Sequence, residues 1–118
     1  MAIDFEIVRK IGLQLPGVED GTAYGSPALK VGGKMMVCIP THKSAEPNSL
    51  GVRMDFEQRD ALLAEAPDTY YLKDHYVNYP VVLVRLRRIK EDALRDLLRA
   101  AWTFVGAKKA AGKRANKH

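Results

Sequence analysis

Hydrophobic spacing along the chain predicts three helices. The first is expected to begin at the N-cap Asp4 and to end near Gln14, before a Pro-Gly pair. Asp55, with Gln58 three residues later, predicts the start of a second helix that stops before Pro67. The third helix has the strongest pattern, a wide apolar stripe at positions 94, 97, 98, 101, 102 and 105.

Short apolar or alternating runs predict five strands, at about residues 28–31, 34–39, 50–54, 69–73 and 81–86. Gly32-Gly33 joins the first two runs and suits a primed hairpin turn, because both positions accept positive φ. The glycine-rich segment 17–27 lacks the spacing of a phosphate-binding loop and is expected to form turns between short strands.

The predicted order is α-β-β-β-α-β-β-α. Hairpins mixed with helices, without a repeating βαβ pattern, indicate an α+β fold in which helices pack on one face of an antiparallel sheet. A chain of 118 residues with 47% hydrophobic content is long enough for one domain with its own core. We expect this domain to span residues 1–105.

The net charge of +5 is unevenly distributed. Residues 1–105 contain 14 basic and 14 acidic residues, so the surplus lies in the segment 106–118, which is expected to be a basic, flexible tail. Such a tail either adds sequence-independent attraction to phosphates or only solubilises the end of the chain.

Cellular location is predicted from three features. The single cysteine, Cys38, lies in the apolar run MMVCI and indicates a buried thiol in a reducing compartment. The N-terminal sequence lacks a signal-peptide pattern, and no apolar run approaches the roughly 20 residues that span a bilayer. A cytoplasmic protein without a membrane partner is therefore expected.

Most of the candidate chemistry lies in the stretch from Asp68 to Leu86. It contains four of the five tyrosines and the pair Asp74-His75. One interpretation is a small-molecule pocket in which His75 carries a proton; the other is a polar loop whose histidine bonds the backbone. The alternative ligand-binding set is Tyr71, His75, Tyr76 and Tyr79.

Catalytic and metal patterns are missing from the sequence. The three histidines are scattered without ligand spacing, and no nucleophile motif is present. We therefore expect a protein that is not an enzyme, with no catalytic residues, no metal and no cofactor.

Basic residues cluster at two places in the predicted sheet. The run Val81–Arg88 is expected to place Arg85 and Arg87 on the exposed face of a strand. Lys30 and Lys34 lie near the tip of the first hairpin. These cations either contact phosphates or form surface salt bridges and keep a sheet edge soluble.

Three segments together carry a family resemblance. They are LPGVEDGTAYGSPALKVGGKMMVCI, LGVRMDFEQRDALLAEAPDTYYLKDHYVNYPVVLVRL and the closing Leu-rich helix with Trp102. Over residues 4–105 the chain resembles the MmcQ/YjbR family. The resemblance implies a CyaY/YjbR-like α+β fold, also described as a double wing, and a DNA-binding role with the hairpins as wings.

Under that resemblance, the matched positions for nucleic-acid contacts are Lys30, Lys34, Arg53, Lys73, His75, Arg85 and Arg87. Relatives often have a tryptophan after the Asp-His-Tyr turn, where this chain has Val81. Tyr76 or Tyr79 would then have to replace that aromatic contact. The first hypothesis is a small non-enzymatic DNA-binding domain; the alternative is a module that binds a small molecule or a protein around His75.

Overall fold

The computed structural model describes the backbone of residues 3–115 and side chains as far as Gly106. The helices are α1 (Phe5–Gly12), α2 (Phe56–Glu65) and α3 (Glu91–Ala115). The strands are β1 (Val18–Ala23), β2 (Ser26–Val31), β3 (Lys34–Cys38), β4 (Ser49–Arg53), β5 (Tyr70–Tyr71) and β6 (Val81–Arg85), and a 3₁₀ turn covers Asp74–Tyr76.

All six strands pair antiparallel in one sheet, in the order β1-β2-β3-β4-β6-β5. The predicted α+β class is confirmed. The predicted element order lacks one strand, because the segment 17–27 contains all of β1 as well as a turn. β1 is an edge strand with exposed polar residues such as Glu19 and Asp20. It is held by backbone pairing with β2, so its sequence lacks the hydrophobic signal of a strand.

Side-chain caps and turn glycines account for the elements that were predicted well. The carboxylate of Asp4 accepts the backbone N–H of Ile7 at 3.1 Å, and that of Asp55 accepts the N–H of Gln58 at 2.8 Å. Gly32 and Gly33 have φ values of 59° and 78°, the left-handed pair that a primed two-residue hairpin requires.

The sheet has two faces of different character. Register and packing place large apolar residues on the face that the helices cover, where Leu29, Val37, Val52, Val82 and Val84 belong to the core cluster. The paired residues of the opposite face are small in the middle of the sheet, where Ala28 lies beside Cys38 and Cys38 lies beside Gly51. Small residues leave space above this second face.

Helix α3 is longer than the sequence pattern predicts. Its backbone continues from Glu91 to Ala115, into the segment that was expected to be a separate tail. The side chains from residue 107 onward lie outside the described residues, so the prediction of a flexible end is not tested. Within the part of the chain that the structure covers, no helix is both long and apolar enough to cross a membrane.

Candidate ligand-binding cleft

An open cleft of about 960 Å³ lies on the second face of the sheet. Cys38 and Gly51, on neighbouring strands, form part of its floor. The loop between β3 and β4 supplies one wall, and the 3₁₀ turn with the segment leading into β6 supplies another. The lining residues are Tyr24, Met35, Cys38, Pro40, Thr41, His42, Lys43, Gly51, Arg53, His75, Tyr76, Tyr79, Pro80 and Val81.

Two histidines from these different walls meet face to face. The rings of His42 and His75 are stacked, with centroids 3.7 Å apart and planes 11° from parallel. Tyr76 meets both rings edge-on, with its ring centroid 6.1 Å from that of His42 and 4.8 Å from that of His75. The pair thus joins the β3–β4 loop to the 3₁₀ turn and forms a continuous aromatic wall.

The neutral ring of His42 is held in one tautomer by its own loop. The backbone N–H of Ser44 donates to His42 Nδ1 at 3.1 Å, and the Ser44 hydroxyl lies 2.7 Å from the same atom. An Nδ1 that accepts an N–H leaves the proton of the neutral ring on Nε2. Partial burial, followed by the nearby His75 and Lys43, lowers the pKa of His42.

The β3–β4 loop is anchored to the sheet by an arginine fork. Arg85 Nε and Nη2 donate to the two carboxylate oxygens of Glu46 at 2.9 and 2.8 Å. The hydrogen bonds from Arg85 lower the pKa of Glu46. The Arg85 guanidinium also lies 4.4 Å from the ring centre of Tyr71, whose hydroxyl accepts the Glu46 N–H at 2.8 Å and contacts the Ser49 hydroxyl.

A second arginine holds the opposite wall. Arg59, on α2, is buried, and its Nη1 donates to the carbonyl oxygens of Val77 and Tyr79 at 2.9 and 3.0 Å. Its guanidinium also contacts the Phe56 ring and the carboxylate of Asp60. A hydrogen bond from a charged donor contributes about 1.5–3 kcal/mol, so this contact fixes the segment that carries Tyr79.

The charge inside the cleft is positive. Among residues 3–106 the lining contains Lys43 and Arg53 together with the two histidines, and no aspartate or glutamate. Arg53 Cζ lies 5.8 Å from the centre of the Phe104 ring, and no carboxylate within this range forms an ion pair with it. An anionic group would meet favourable charge here.

Burial limits the reactivity of Cys38. Burial raises the pKa of the Cys38 thiol, which favours the less nucleophilic protonated form. Within the described part of the chain, no group of three or more His, Cys, Asp or Glu side chains is arranged to hold a metal ion.

The structure divides the predicted ligand-binding set. His75, Tyr76 and Tyr79 line the cleft together. Tyr71 does not line it, because its hydroxyl and ring are engaged by the loop and by Arg85.

The residues predicted to contact nucleic acid are also separated. Arg53 and His75 line the cleft, Lys30 and Lys34 flank the β2–β3 turn, and Lys73 lies over the Tyr71 ring. The guanidinium of Arg85 is occupied by Glu46 and by the carbonyls of Pro67 and Asp68. The prediction that Arg87 shares a strand face with Arg85 is wrong, because β6 ends at Arg85 and Arg87 lies in the following turn.

Tyr24, Met35, His42 and Lys43 are among the cleft residues that sequence reasoning did not name as site candidates. His42 is 33 positions from its partner His75 in the chain, and no local pattern joins them. Tyr24 lies in a segment that was expected to form turns between short strands. Both lie on connections between strands, Tyr24 between β1 and β2 and His42 between β3 and β4.

Comparison with known proteins identifies the family. A model of the YjbR family matches residues 13–104. The chain belongs to the YjbR family. The fold is also similar to the crystal structure of a Deinococcus radiodurans protein with a DUF419 domain, with a TM-score of 0.69 and 21% identity over 86% of this chain and 78% of that one.

Relatives among curated proteins have no assigned function. Uncharacterized proteins of Mycobacterium bovis and Mycobacterium tuberculosis are 38% identical over 72 residues. The match covers 58% of this chain and 56% of the relatives, so the chain spans about half of their length. The family assignment therefore supplies the fold, and the function has to be argued from the site.

Removing His75 should raise the pKa of His42. The His75→Ala variant lacks one neighbouring charge and one source of desolvation, so the pKa of His42 should move up toward the ordinary value of about 6.5. An NMR pH titration of the imidazole Cε1–H signals measures it. Arg95→Gln, an exposed change on α3, is the control. An unchanged His42 pKa in His75→Ala would show that the rings do not interact in solution.

Proposed function

We propose that this YjbR-family protein is a non-catalytic module that binds a small organic molecule in the cleft. The observation that carries the proposal is the anchoring of both walls over a floor of small residues. Arg85 anchors the β3–β4 loop and Arg59 anchors the segment that carries Tyr79, and with the floor at Cys38 and Gly51 these walls enclose an open cleft of about 960 Å³. Ligand pockets in proteins typically have volumes of about 300–1,000 Å³.

The chemistry of the side chains supports binding in preference to catalysis. The Nδ1 atom of His42 is occupied by its own loop, and the Cys38 thiol favours its protonated form. Aromatic walls and fixed positive charge are features of recognition sites. The free thiol of Cys38 suits a reducing compartment, and we propose that the module acts in the cytoplasm.

Filling the cleft floor should abolish small-molecule binding. A Cβ at Gly51 would lie 3.6 and 3.7 Å from Cys38 O and Sγ, which is ordinary contact, so Gly51→Val should fold with its methyl groups directed into the cleft. The measurement is a ¹H–¹⁵N NMR screen of small aromatic acids, aromatic amines and sugars at millimolar concentration. Hits should shift the amides of Cys38, His42 and His75 in the wild type but not in Gly51→Val.

Gly21→Val is the matched control. Gly21 is also a strand glycine on the second face, paired with Ala28, and a Cβ there meets only the Lys30 stem at 3.8 Å. It does not line the cleft. The control should therefore bind as the wild type does. The proposal fails if no compound shifts the cleft amides, or if Gly51→Val binds as well as Gly21→Val.

DNA binding is a second candidate function, supported by exposed cations on two turns. Lys34 is exposed next to the β2–β3 turn, and Arg87 and Arg88 are exposed in the turn after β6. This arrangement is compatible with the double-wing role that the family resemblance implies. Under this proposal Arg85 positions the β3–β4 loop and contacts no phosphate, because its donors are engaged within the protein.

Neutralising these turns should weaken DNA binding independently of sequence. Each phosphate contact that is lost lowers the slope of log K against log salt by about 0.9. Lys34→Gln and Arg87→Gln should each reduce this slope in fluorescence titrations of duplex DNA, whereas Arg95→Gln on α3 should not. Equal slopes for all three variants and the wild type would rule out the turns as the DNA-contacting surface.

A further inference from the structure

Tyr24 combines an unfavourable backbone conformation with extreme exposure. It lies with Gly25 in the two-residue turn between the paired residues Ala23 and Ser26. Its φ is 54°, a left-handed conformation that is uncommon for residues other than glycine, and its side chain is 87% exposed. Neither the turn nor the core gains from a tyrosine at this position.

Among the described residues, the other non-glycine position with positive φ shows what such a site ordinarily contains. That residue is Asn48, with φ of 60°, and asparagine is the type that tolerates this conformation best. A tyrosine in the same conformation is held there by the turn. Strained residues concentrate at functional sites, and Tyr24 lines the mouth of the cleft.

Tyr79 offers a second exposed ring in the same lining. Its side chain is 55% exposed, whereas its backbone carbonyl is fixed by Arg59. Two exposed tyrosines, with the stacked His42–His75 pair between the loops, provide flat surfaces for a planar ring. Stacking of a planar ring on an aromatic side chain is favourable and does not depend on one particular ring.

The same lining supplies charge for an anion. Arg53 and Lys43 line the cleft, and its described lining has no carboxylate that would neutralise them. A guanidinium is suited to carboxylate and phosphate groups because its donors form a planar fork. Ring surfaces and cations thus occur in one cavity.

We propose, building on the proposed binding function, that the cleft binds a free small molecule with a planar aromatic ring and an anionic substituent, using Tyr24 as a stacking surface and Arg53 as the anion contact. A cleft of about 960 Å³ lies within the range of pockets that bind small organic ligands, so it has room for a molecule such as a mononucleotide. Tyr24 is then kept in a strained turn because its ring contacts the ligand.

Three related probes separate the two contacts. Adenosine 5′-monophosphate has both the ring and the anion, adenosine has the ring alone, and ribose 5-phosphate has the anion alone. Dissociation constants come from NMR titrations that follow the cleft amides of Cys38, His42 and His75. The monophosphate should bind about tenfold more tightly than either of the other probes.

Variants then assign each contact to its residue. Arg53→Gln should weaken binding of the monophosphate to the level of adenosine and leave the binding of adenosine unchanged. Tyr24→Asn should weaken binding of the monophosphate about tenfold, toward the affinity of ribose 5-phosphate. Tyr24→Phe keeps the ring and should bind within about twofold of the wild type.

Thermal stability provides the readout that a structural role for Tyr24 would not give. Because asparagine suits the left-handed turn, Tyr24→Asn should raise Tm by about 4 °C. If the variant is more stable and yet binds the monophosphate more weakly, the tyrosine ring acts in ligand binding and not in stabilising the fold. If Tyr24→Asn binds the monophosphate as the wild type does, or if Arg53→Gln weakens adenosine and the monophosphate equally, the inference is wrong.

The experiments test the proposed ligand class separately from the proposal that the cleft binds small molecules. If the monophosphate binds no better than adenosine while neutral or cationic compounds bind in a manner that Gly51→Val blocks, the cleft binds ligands and the anionic class is wrong. If neither these probes nor the wider screen shift the cleft amides, both proposals are wrong.

Discussion

The second face of the sheet depends on one contact, the bidentate ion pair between Arg85 and Glu46. β6 carries Arg85 next to the short edge strand β5, and the guanidinium reaches three separate parts of the chain. It binds the carboxylate of Glu46 in the β3–β4 loop, the carbonyls of Pro67 and Asp68 before β5, and the face of the Tyr71 ring. A loop of polar residues is thereby fixed over one face of the sheet.

The second constraint comes from the helix side of the molecule. Arg59 extends from α2 to the carbonyls of Val77 and Tyr79, so the wall opposite the β3–β4 loop is attached to a helix. The two walls meet where His42 stacks on His75. Between them the floor stays low, because Cys38 and Gly51 occupy paired positions of β3 and β4. Two arginines that anchor the walls and small residues in the floor therefore form the cleft.

The family assignment explains the fold, whereas the cleft residues bear on the function. Membership in the YjbR family and the likeness to a DUF419 structure account for the sheet and its helices. The YjbR match, residues 13–104, also contains the loop with His42 and the turn with Tyr24. The proposed ligand class depends on these particular side chains and on Arg53. The proposal therefore applies to this chain and not to the family as a whole.

Local signals explain which parts of the structure could be predicted from sequence. The caps at Asp4 and Asp55 and the Gly32-Gly33 turn act over a few residues, and each of them is found in the structure. β1 escaped prediction because an exposed edge strand depends on its partner and not on its own apolar residues.

The site was harder to predict because its residues meet only through the sheet. The stretch around His75 was singled out from the sequence, and the structure places His75, Tyr76 and Tyr79 in the lining of one cleft. His42 and Tyr24 come from loops that sequence spacing does not connect to it. Arg85 looked like a surface cation, since a partner 39 positions away, Glu46, cannot be read from a local pattern.

Amide hydrogen exchange in Arg85→Met tests most directly whether this arginine holds the cleft wall. The N–H of Ser44 bonds His42 Nδ1, and that of Glu46 bonds the Tyr71 hydroxyl. Both amides should exchange faster in Arg85→Met than in the wild type, while Val52 in β4 keeps its protection. Arg87→Met, which removes an exposed arginine from the adjacent turn, should leave all three unchanged. Unaltered exchange at Ser44 and Glu46 in Arg85→Met would contradict the account.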